Sequence, residues 1–205
     1  AFEDSVLVGF IAWDLTEPYV ASIASSDGGT TWGNVTPVSP PGPCMQWSTP
    51  SVAASPAGSF AISWSAETSN TGCWSDWGNS TRTFVAISFD RGGTFSEPLP
   101  AGGPPGWIGA SFGDAVVFDD ASRLYVTWHT ISPGWTSAAI SVANSTDFGQ
   151  TFEQASFTTR IRVAGGNSTA QENLAAGPGD LVYLVWEAFG APGDPVDPRN
   201  GIFVR

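Results

Sequence analysis

The chain has 205 residues, of which 41% are hydrophobic and 13% charged, so it contains enough apolar material for a core and is not a disordered chain by composition. Its formal net charge is −12, with nineteen acidic residues against seven basic ones, and this balance disfavours nucleic acid and anionic membrane surfaces as partners. No apolar run is long enough to cross a membrane as a helix.

The apolar segments alternate in the manner of short β-strands. The first, "SVLVGFIAW" (5–13), ends in a tryptophan, and comparable segments end in tryptophan at three later positions: Trp64, Trp128 and Trp186. Each of the first three is followed by a segment rich in β-branched residues: "YVASIAS" (19–25), "TFVAISF" (83–89) and "AAISVANS" (138–145). Period-two alternation, without sustained helical periodicity, predicts an all-β fold.

A polar turn follows each β-branched segment, and its sequence repeats. The three copies are "SSDGGTTW" (25–32), "SFDRGGTF" (88–95) and "STDFGQTF" (145–152), and all fit Ser-x-Asp-x-Gly-x-Thr-aromatic. Asp27, Asp90 and Asp147 therefore recur 63 and 57 residues apart. A fixed period of this size predicts a repeat architecture, here with four strands, A to D, in each unit.

The composition of the turn favours a structural role. Short polar side chains can bind turn amides, and glycine permits positive φ, which we expect at Gly29, Gly93 and Gly149. We expect the closing aromatic residues to anchor each turn to its strands. They are Trp32, Phe95 and Phe152.

These turns resemble the Asp-box, or bacterial neuraminidase repeat, of sialidase-like β-propellers. The resemblance implies a β-propeller of four-stranded antiparallel blades with Asp-box turns, of which about three blades are present as a partial ring. We expect a single segment over 1–205, with blade parts at about 1–39, 40–100, 101–164 and 165–205. The remaining blades are expected from a longer chain or from other subunits, because the chain opens before a B strand and closes in "NGIFVR" (200–205), at the start of a C strand.

Strand alternation places the A–B turns and the boxes on one face and the B–C and D–A loops on the other. Five tryptophans fall in the latter loops: Trp47, Trp74, Trp77, Trp107 and Trp135. A tryptophan ring can stack on the apolar C–H face of a sugar, so these residues are candidate ligand-binding residues. The alternative is that they cover the blades or form a protein interface, where aromatic residues are also enriched.

Two further patterns concern the compartment. Cys44 and Cys73 belong to loops on the same face of the same blade, which predicts a disulfide between them, with two free thiols as the alternative. Four of the seven asparagines begin an Asn-x-Ser/Thr sequon, which predicts glycosylation and an extracellular or cell-surface location. They are Asn34, Asn79, Asn144 and Asn167.

The sequence gives no signal for catalysis. Hydrolases of the family that this sequence resembles use an arginine triad, but the Phe-Arg-Ile-Pro type motif that supplies the first arginine is absent. Arg91 and Arg123 fall on the box face, opposite the long loops. The residues that follow the strand-ending tryptophans are Asp14, Ser65, His129 and Glu187. Equivalent positions on different blades lie too far apart for one metal or acid/base site, so no catalytic residue, metal site or cofactor is predicted.

The sequence thus predicts a non-catalytic surface module that binds carbohydrate or a neighbouring protein, without nucleic acid and without membrane insertion. Two alternatives remain open. One is a sialidase-like exo-glycoside hydrolase whose catalytic residues lie outside this segment, and the other is a structural subunit of a cell-surface layer or filament.

Overall fold

The fold was taken from a computed structural model of the chain. It describes residues 3–14, 17–41, 50–67, 81–102, 111–131, 137–162, 172–179, 181–186 and 202–204. In this part of the chain all regular structure is β-strand, in four antiparallel sheets, which confirms the all-β prediction. None of these residues forms a helix long and apolar enough to cross a membrane.

The first two sheets occupy the N-terminal half of the chain. The first contains β1 (Val6–Asp14), β2 (Glu17–Ser25) and β3 (Thr36–Pro37). The second contains β4 (Ser51–Ala54), β5 (Phe60–Glu67), β6 (Thr81–Ser88) and β7 (Leu99–Gly102). In both sheets each strand pairs with the next in sequence, as in a propeller blade.

The third and fourth sheets repeat this meander. The third contains β8 (Ser111–Phe118), β9 (Leu124–Ile131), β10 (Ser137–Ser145) and β11 (Glu153–Arg162). The fourth contains β12 (Glu172–Ala176), β13 (Val182–Trp186) and β14 (Ile202–Val204). The strand β14 lies beside β13, so the closing segment does form the third strand of a blade.

The sheets pack with their first strands next to one another. Strand β8 lies against β4 and β5 on one side and against β12 on the other. The backbone N–H of Val116 in β8 donates to Ser51 Oγ in β4 at 3.3 Å. This succession of sheets around their first strands is the blade arrangement of a β-propeller.

Two apolar cores join the first three sheets. The core between the first and second sheets contains Val20, Val38, Ile62, Trp64 and Ala86. The core between the second and third contains Ala61, Val85, Ile87, Ala101, Val116, Phe118, Leu124 and Val126. Alternate residues of β5 thus face opposite neighbours, as Ile62 faces the first sheet and Ala61 the third, which is why this strand is apolar on both faces.

Hairpin register corrects one equivalence predicted from sequence. The box serines Ser25, Ser88 and Ser145 lie opposite Val6, Phe60 and Leu124. Counting from these pairs, the counterpart of Trp64 and Trp128 in the first sheet is Phe10, and Trp13 lies three residues farther along the strand. Trp64 and Trp128 are 2% and 3% exposed, whereas Trp13 is 68% exposed. Trp13 is therefore not a core residue of its blade.

The first sheet also has an uncovered apolar face, which we call its outer face. Val8 on this face is 44% exposed, although its counterparts Ile62, Val126 and Leu184 are only 0%, 0% and 1% exposed. Ile62 and Val126 point toward the preceding sheet, and within the described residues no sheet precedes the first. Val8 therefore presents to solvent a position that is core elsewhere.

Candidate functional site

The three box turns share one hydrogen-bond pattern. In the third, Ser145 Oγ donates to Asp147 Oδ1 at 2.7 Å and accepts from the Gly149 N–H at 2.7 Å. The Thr151 N–H and hydroxyl donate to the two carboxylate oxygens of Asp147 at 2.9 and 2.6 Å. The turns at Asp27 and Asp90 repeat these bonds at 2.6 to 2.8 Å.

These bonds hold the box carboxylates in the ionised form. The hydroxyl and then the N–H of Thr151 lower the pKa of Asp147 to about 2, and Thr31 does the same for Asp27. For Asp90 the pKa is also lowered, chiefly by the backbone N–H of Thr94. A carboxylate that accepts this many hydrogen bonds from its own turn is a fold element and is poorly suited to act as a general acid near neutral pH.

Backbone conformation corrects the prediction for the second box. Positive φ occurs at Gly29 (91°) and Gly149 (82°) as expected, but in the second box at Gly92 (91°) and not at Gly93. The residue before each of these glycines is also left-handed. Gly92 is thus the glycine of the repeat, which agrees with its fifth place in the pattern Ser-x-Asp-x-Gly-x-Thr-aromatic.

Box turns also contact the neighbouring sheet. The rings of Phe89 and Phe148, from the second and third boxes, meet edge to face with centroids 5.4 Å apart. Gly92 lies so close to the first sheet that an added Cβ would stand 2.7 Å from Leu7 Cδ1 and 3.0 Å from Ala24 Cβ. These contacts assign the box end of the sheets to structural packing.

The aromatic residues that close the boxes differ in burial. Phe95 packs against the core between the first and second sheets, and Phe152 against the core between the second and third. Trp32 is 43% exposed, so the prediction that it anchors its turn by inward packing is wrong. Phe95 and Phe152 each reach the core shared with the preceding sheet, which the first sheet lacks among the described residues.

Two arginines lie at the box end, where the sequence placed them. Arg91 forms an exposed pair with Glu3 at 3.2 Å, and Arg123 Nε bonds Asp119 Oδ2 at 2.6 Å inside a turn. The buried carboxylate of Asp119 also accepts the N–H groups of Ala121 and Arg123. Arg123 therefore holds its own turn and Arg91 pairs with a residue outside its turn, and both lie on the face opposite the long loops.

The opposite end of the sheets, which we call the loop face, carries the long connections. Strands β1, β5, β9 and β13 end there, and β4, β8 and β12 begin there. The five loop tryptophans belong to segments that connect strands at this end, but Trp47, Trp74, Trp77, Trp107 and Trp135 lie outside the described residues. The same is true of Cys44, Cys73, Asn79 and Asn167, so the predicted disulfide stays a prediction.

A buried pair near the loop face links the third and fourth sheets. His129 Nδ1 in β9 lies 2.7 Å from Glu172 Oε2 at the start of β12, and the two side chains are 1% and 0% exposed. The sequence placed His129 beside Asp14 and Ser65 at one height, but register makes Ile11 the counterpart of His129 and Ser65. Glu187 lies outside the described residues.

Glu172 was not identified from the sequence. It is 43 residues from His129 and belongs to no motif, and the available signal was only its place at the loop-face end of a predicted A strand. Because both side chains are buried, a substrate in solution cannot reach them, and the pair acts as a tie between blades. Among the described residues no group of three or more His, Cys, Asp or Glu side chains is arranged to hold a metal ion.

The last two described residue pairs of the β1–β2 hairpin, which we call its tip, lie at the loop face and include an exposed aromatic residue. Trp13 is 68% exposed and lies opposite Pro18, which is buried. The next pair along the hairpin joins two acidic residues, Asp14 and Glu17. The tip therefore combines one large apolar ring with two carboxylates.

Comparison with known proteins gives the fold. No family model matches the sequence, and no curated protein is similar to it. A Hadza microbial sialidase superimposes with a TM-score of 0.60 at 18% identity, covering 89% of this chain and 39% of the sialidase. The GH93 α-L-arabinofuranosidase of Fusarium graminearum, solved with arabinobiose, gives 0.60 at 16% identity, covering 97% of this chain and 57% of the enzyme. An endo-arabinase from Bacteroides thetaiotaomicron gives 0.54 at 11% identity, covering 99% of this chain and 71% of the enzyme.

These similarities show a sialidase-like β-propeller fold, as the box repeats predicted. The chain spans about two fifths of the sialidase and somewhat over half of the arabinofuranosidase. The similarity therefore concerns the blades, and it extends to neither the activity nor the substrate of these enzymes.

Proposed function

We propose that this chain is a carbohydrate-binding β-propeller segment whose ligand docks on the loop face. The observation that carries the proposal is that the two ends of the sheets differ in what their connecting segments contain. The box end is occupied by turn hydrogen bonds and contacts between turns, whereas the long tryptophan-bearing segments all belong to the loop face. Long connections on a rigid scaffold are where binding residues concentrate.

The chemistry of the loop segments suits sugars. Tryptophan presents a large, flat apolar surface with an N–H at its edge, so it can stack on the C–H face of a pyranose or furanose ring and donate to a hydroxyl. The sequence assigns five such residues to four segments that connect strands at the loop face. The three superimposed structures are glycosidases by name, one of them solved with arabinobiose, and they illustrate that this fold can accommodate saccharides.

The proposal includes an extracellular setting, with a disulfide between Cys44 and Cys73 and with glycosylation. The two described sequons differ as acceptors. Asn34 is exposed after the first box, whereas Asn144 lies half-buried in β10, on the sheet face that carries the buried Val142. We expect mass spectrometry of the secreted protein to find higher glycan occupancy at Asn34.

The binding proposal is tested with a Trp74→Ala/Trp77→Ala double variant and a Trp32→Phe control on the box face. Binding of neutral and sialylated oligosaccharides is measured by calorimetry, together with the melting temperature. We expect the double variant to lose affinity about tenfold or more while its melting temperature stays near that of the wild type. Full binding by the double variant, or absence of binding by the wild-type protein, contradicts the proposal.

A second candidate function is exo-glycoside hydrolysis. Its support is positional, since Arg82, Arg160 and Arg162 occupy the loop-face ends of β6 and β11, at the end opposite Arg91 and Arg123. Arginines at that end suit a substrate carboxylate. Turnover of a fluorogenic sialoside or arabinofuranoside, lowered at least tenfold by Arg82→Ala, would establish this function in place of simple binding.

A further inference from the structure

We propose that the tip of the β1–β2 hairpin is itself a sugar-binding site, with Trp13 as its stacking platform, and that it selects neutral over acidic saccharides. This inference rests on the proposed carbohydrate-binding function and deepens it by naming a residue and a substrate class. The sequence alone grouped Trp13 with the other strand-ending tryptophans and not with the candidate ligand-binding residues.

The exposure of Trp13 contrasts with the close packing of the same side of the hairpin at Gly9. Register places Trp13 on the same side of the first sheet as Gly9 and Val20, which face the second sheet. At Gly9 the two sheets are so close that an added Cβ would stand 2.9 Å from Val52 Cγ2. Four residues farther along, Trp13 is 68% exposed, the largest value among the big hydrophobic side chains of the described residues.

The exposed ring is therefore not a consequence of the uncovered outer face. Val8 lies on that face, whereas Trp13 lies on the other, which is the side that faces the second sheet. Ile11, its neighbour on the same side of the strand, is 37% exposed and widens the apolar surface. A flat apolar surface at the tip of a hairpin is accessible to a sugar ring from solvent.

The carboxylates at the tip define the ligand class. Asp14 and Glu17 are directly opposite each other in register, next to the pair formed by Trp13 and Pro18. Carboxylates accept hydrogen bonds from sugar hydroxyls, but they repel the carboxylate of a sialic or uronic acid. With a net charge of −12 on the whole chain, the tip favours uncharged pentoses or hexoses.

The test uses Trp13→Ala and Trp13→Phe, with Trp32→Phe as an exposed-tryptophan control at the box end. Arabinobiose and lactose serve as neutral probes and sialyllactose as the acidic counterpart of lactose, with calorimetry for affinity and circular dichroism for folding. We expect neutral probes to bind, Trp13→Ala to weaken them about tenfold, and Trp13→Phe to retain part of the affinity. We expect Trp32→Phe to match the wild-type protein.

A second readout is specific to the site. Oxidation of tryptophan, followed by peptide mass spectrometry, should modify Trp13 ahead of Trp64 and Trp128, and saturating lactose or arabinobiose should protect it. An Asp14→Asn/Glu17→Gln variant should gain affinity for sialyllactose relative to lactose.

The outcomes separate the two proposals. Wild-type binding of neutral sugars that Trp13→Ala leaves unchanged, or an absence of protection at Trp13, overturns this inference and leaves the proposed function standing. Stronger wild-type binding of sialyllactose than of lactose overturns the substrate class. A wild-type protein that binds none of the probes overturns both proposals.

Discussion

His129 Nδ1 lies 2.7 Å from Glu172 Oε2, and this contact crosses from the third sheet to the fourth. Both side chains are buried, so neither can exchange its partner for bulk water. The pair therefore ties together the two sheets between which it lies.

Replacement of Glu172 tests this tie. Glu172→Ala leaves His129 buried without this partner and should lower the free energy of unfolding by about 1–3 kcal/mol, while Glu172→Gln, which keeps an acceptor, should cost less. Urea denaturation measures the loss, and amide exchange should rise in β12 and β13. Glu3→Ala is the control, because the Glu3–Arg91 pair is exposed and should contribute only about 0–1 kcal/mol. Equal effects of the two alanine variants would contradict the assigned role.

Two counterpart valines test the uncovered outer face. Val126 is fully buried between the second and third sheets, whereas Val8 occupies the same register position in the first sheet and is 44% exposed. Val126→Ala should destabilise the protein by roughly 2 kcal/mol, and Val8→Ala by about 0.5 kcal/mol or less. Thermal denaturation of the isolated chain distinguishes them, and a large loss in Val8→Ala would show that its outer face is covered in solution.

Two glycines with positive φ separate backbone strain from crowding. Gly28→Ala at φ 70° meets no atom within 4 Å of the new Cβ, so strain alone should cost about 1–2 kcal/mol. Gly92→Ala at φ 91° adds a clash with Leu7 and should cost about 1–3 kcal/mol more. Chemical denaturation compares the two. If they are equally destabilised, the second box does not press against the first sheet.

Substitution of two neighbouring threonines tests the hydrogen bonds that lower the pKa of a box carboxylate. Thr31 donates its hydroxyl to Asp27 Oδ2, whereas Thr30 donates to the Asp27 carbonyl oxygen. Thr31→Val should raise the pKa of Asp27 from about 2 toward its usual 3.8, and Thr30→Val should change it little. Carboxyl NMR titration gives both values, and an unchanged pKa in Thr31→Val would contradict the hydrogen-bond assignment.

The lowered pKa of Asp27 determines the direction in which the stability of the fold changes with pH. The folded pKa of Asp27 is depressed, so its stabilising contribution is complete above about pH 4 and is lost as the pH falls from 3.8 toward 2. Asp147 behaves in the same way. Acid unfolding of Thr31→Val should therefore begin at a higher pH than that of the wild-type protein.

Prediction from the sequence succeeded where local chemistry determines structure. The box turns are set by residues within eight positions of one another, so the serine, aspartate and threonine pattern was sufficient to place them. The strands followed from alternation, since each must bury one face or both.

Prediction failed where register or distant contacts decide. The sequence aligned Trp13 with Trp64 because both end an apolar segment. Counting from the residue paired with the box serine instead makes Phe10 the counterpart of Trp64. Both candidates are aromatic, so residue type alone did not distinguish them. Glu172 meets His129 through the packing of two sheets, and no spacing rule along the chain encodes that contact.

The edge-to-face contact of Phe89 with Phe148 affects how the molecule opens. Neighbouring sheets share a core and also touch through their turns, so the energy of each blade depends on its nearest neighbours, as in a one-dimensional chain of coupled units. The second sheet is held from both sides, by the two cores, whereas the first is held by one. Local opening thus costs less in the first sheet than in the second, so the hairpin that carries Trp13 belongs to the sheet that opens more readily of the two.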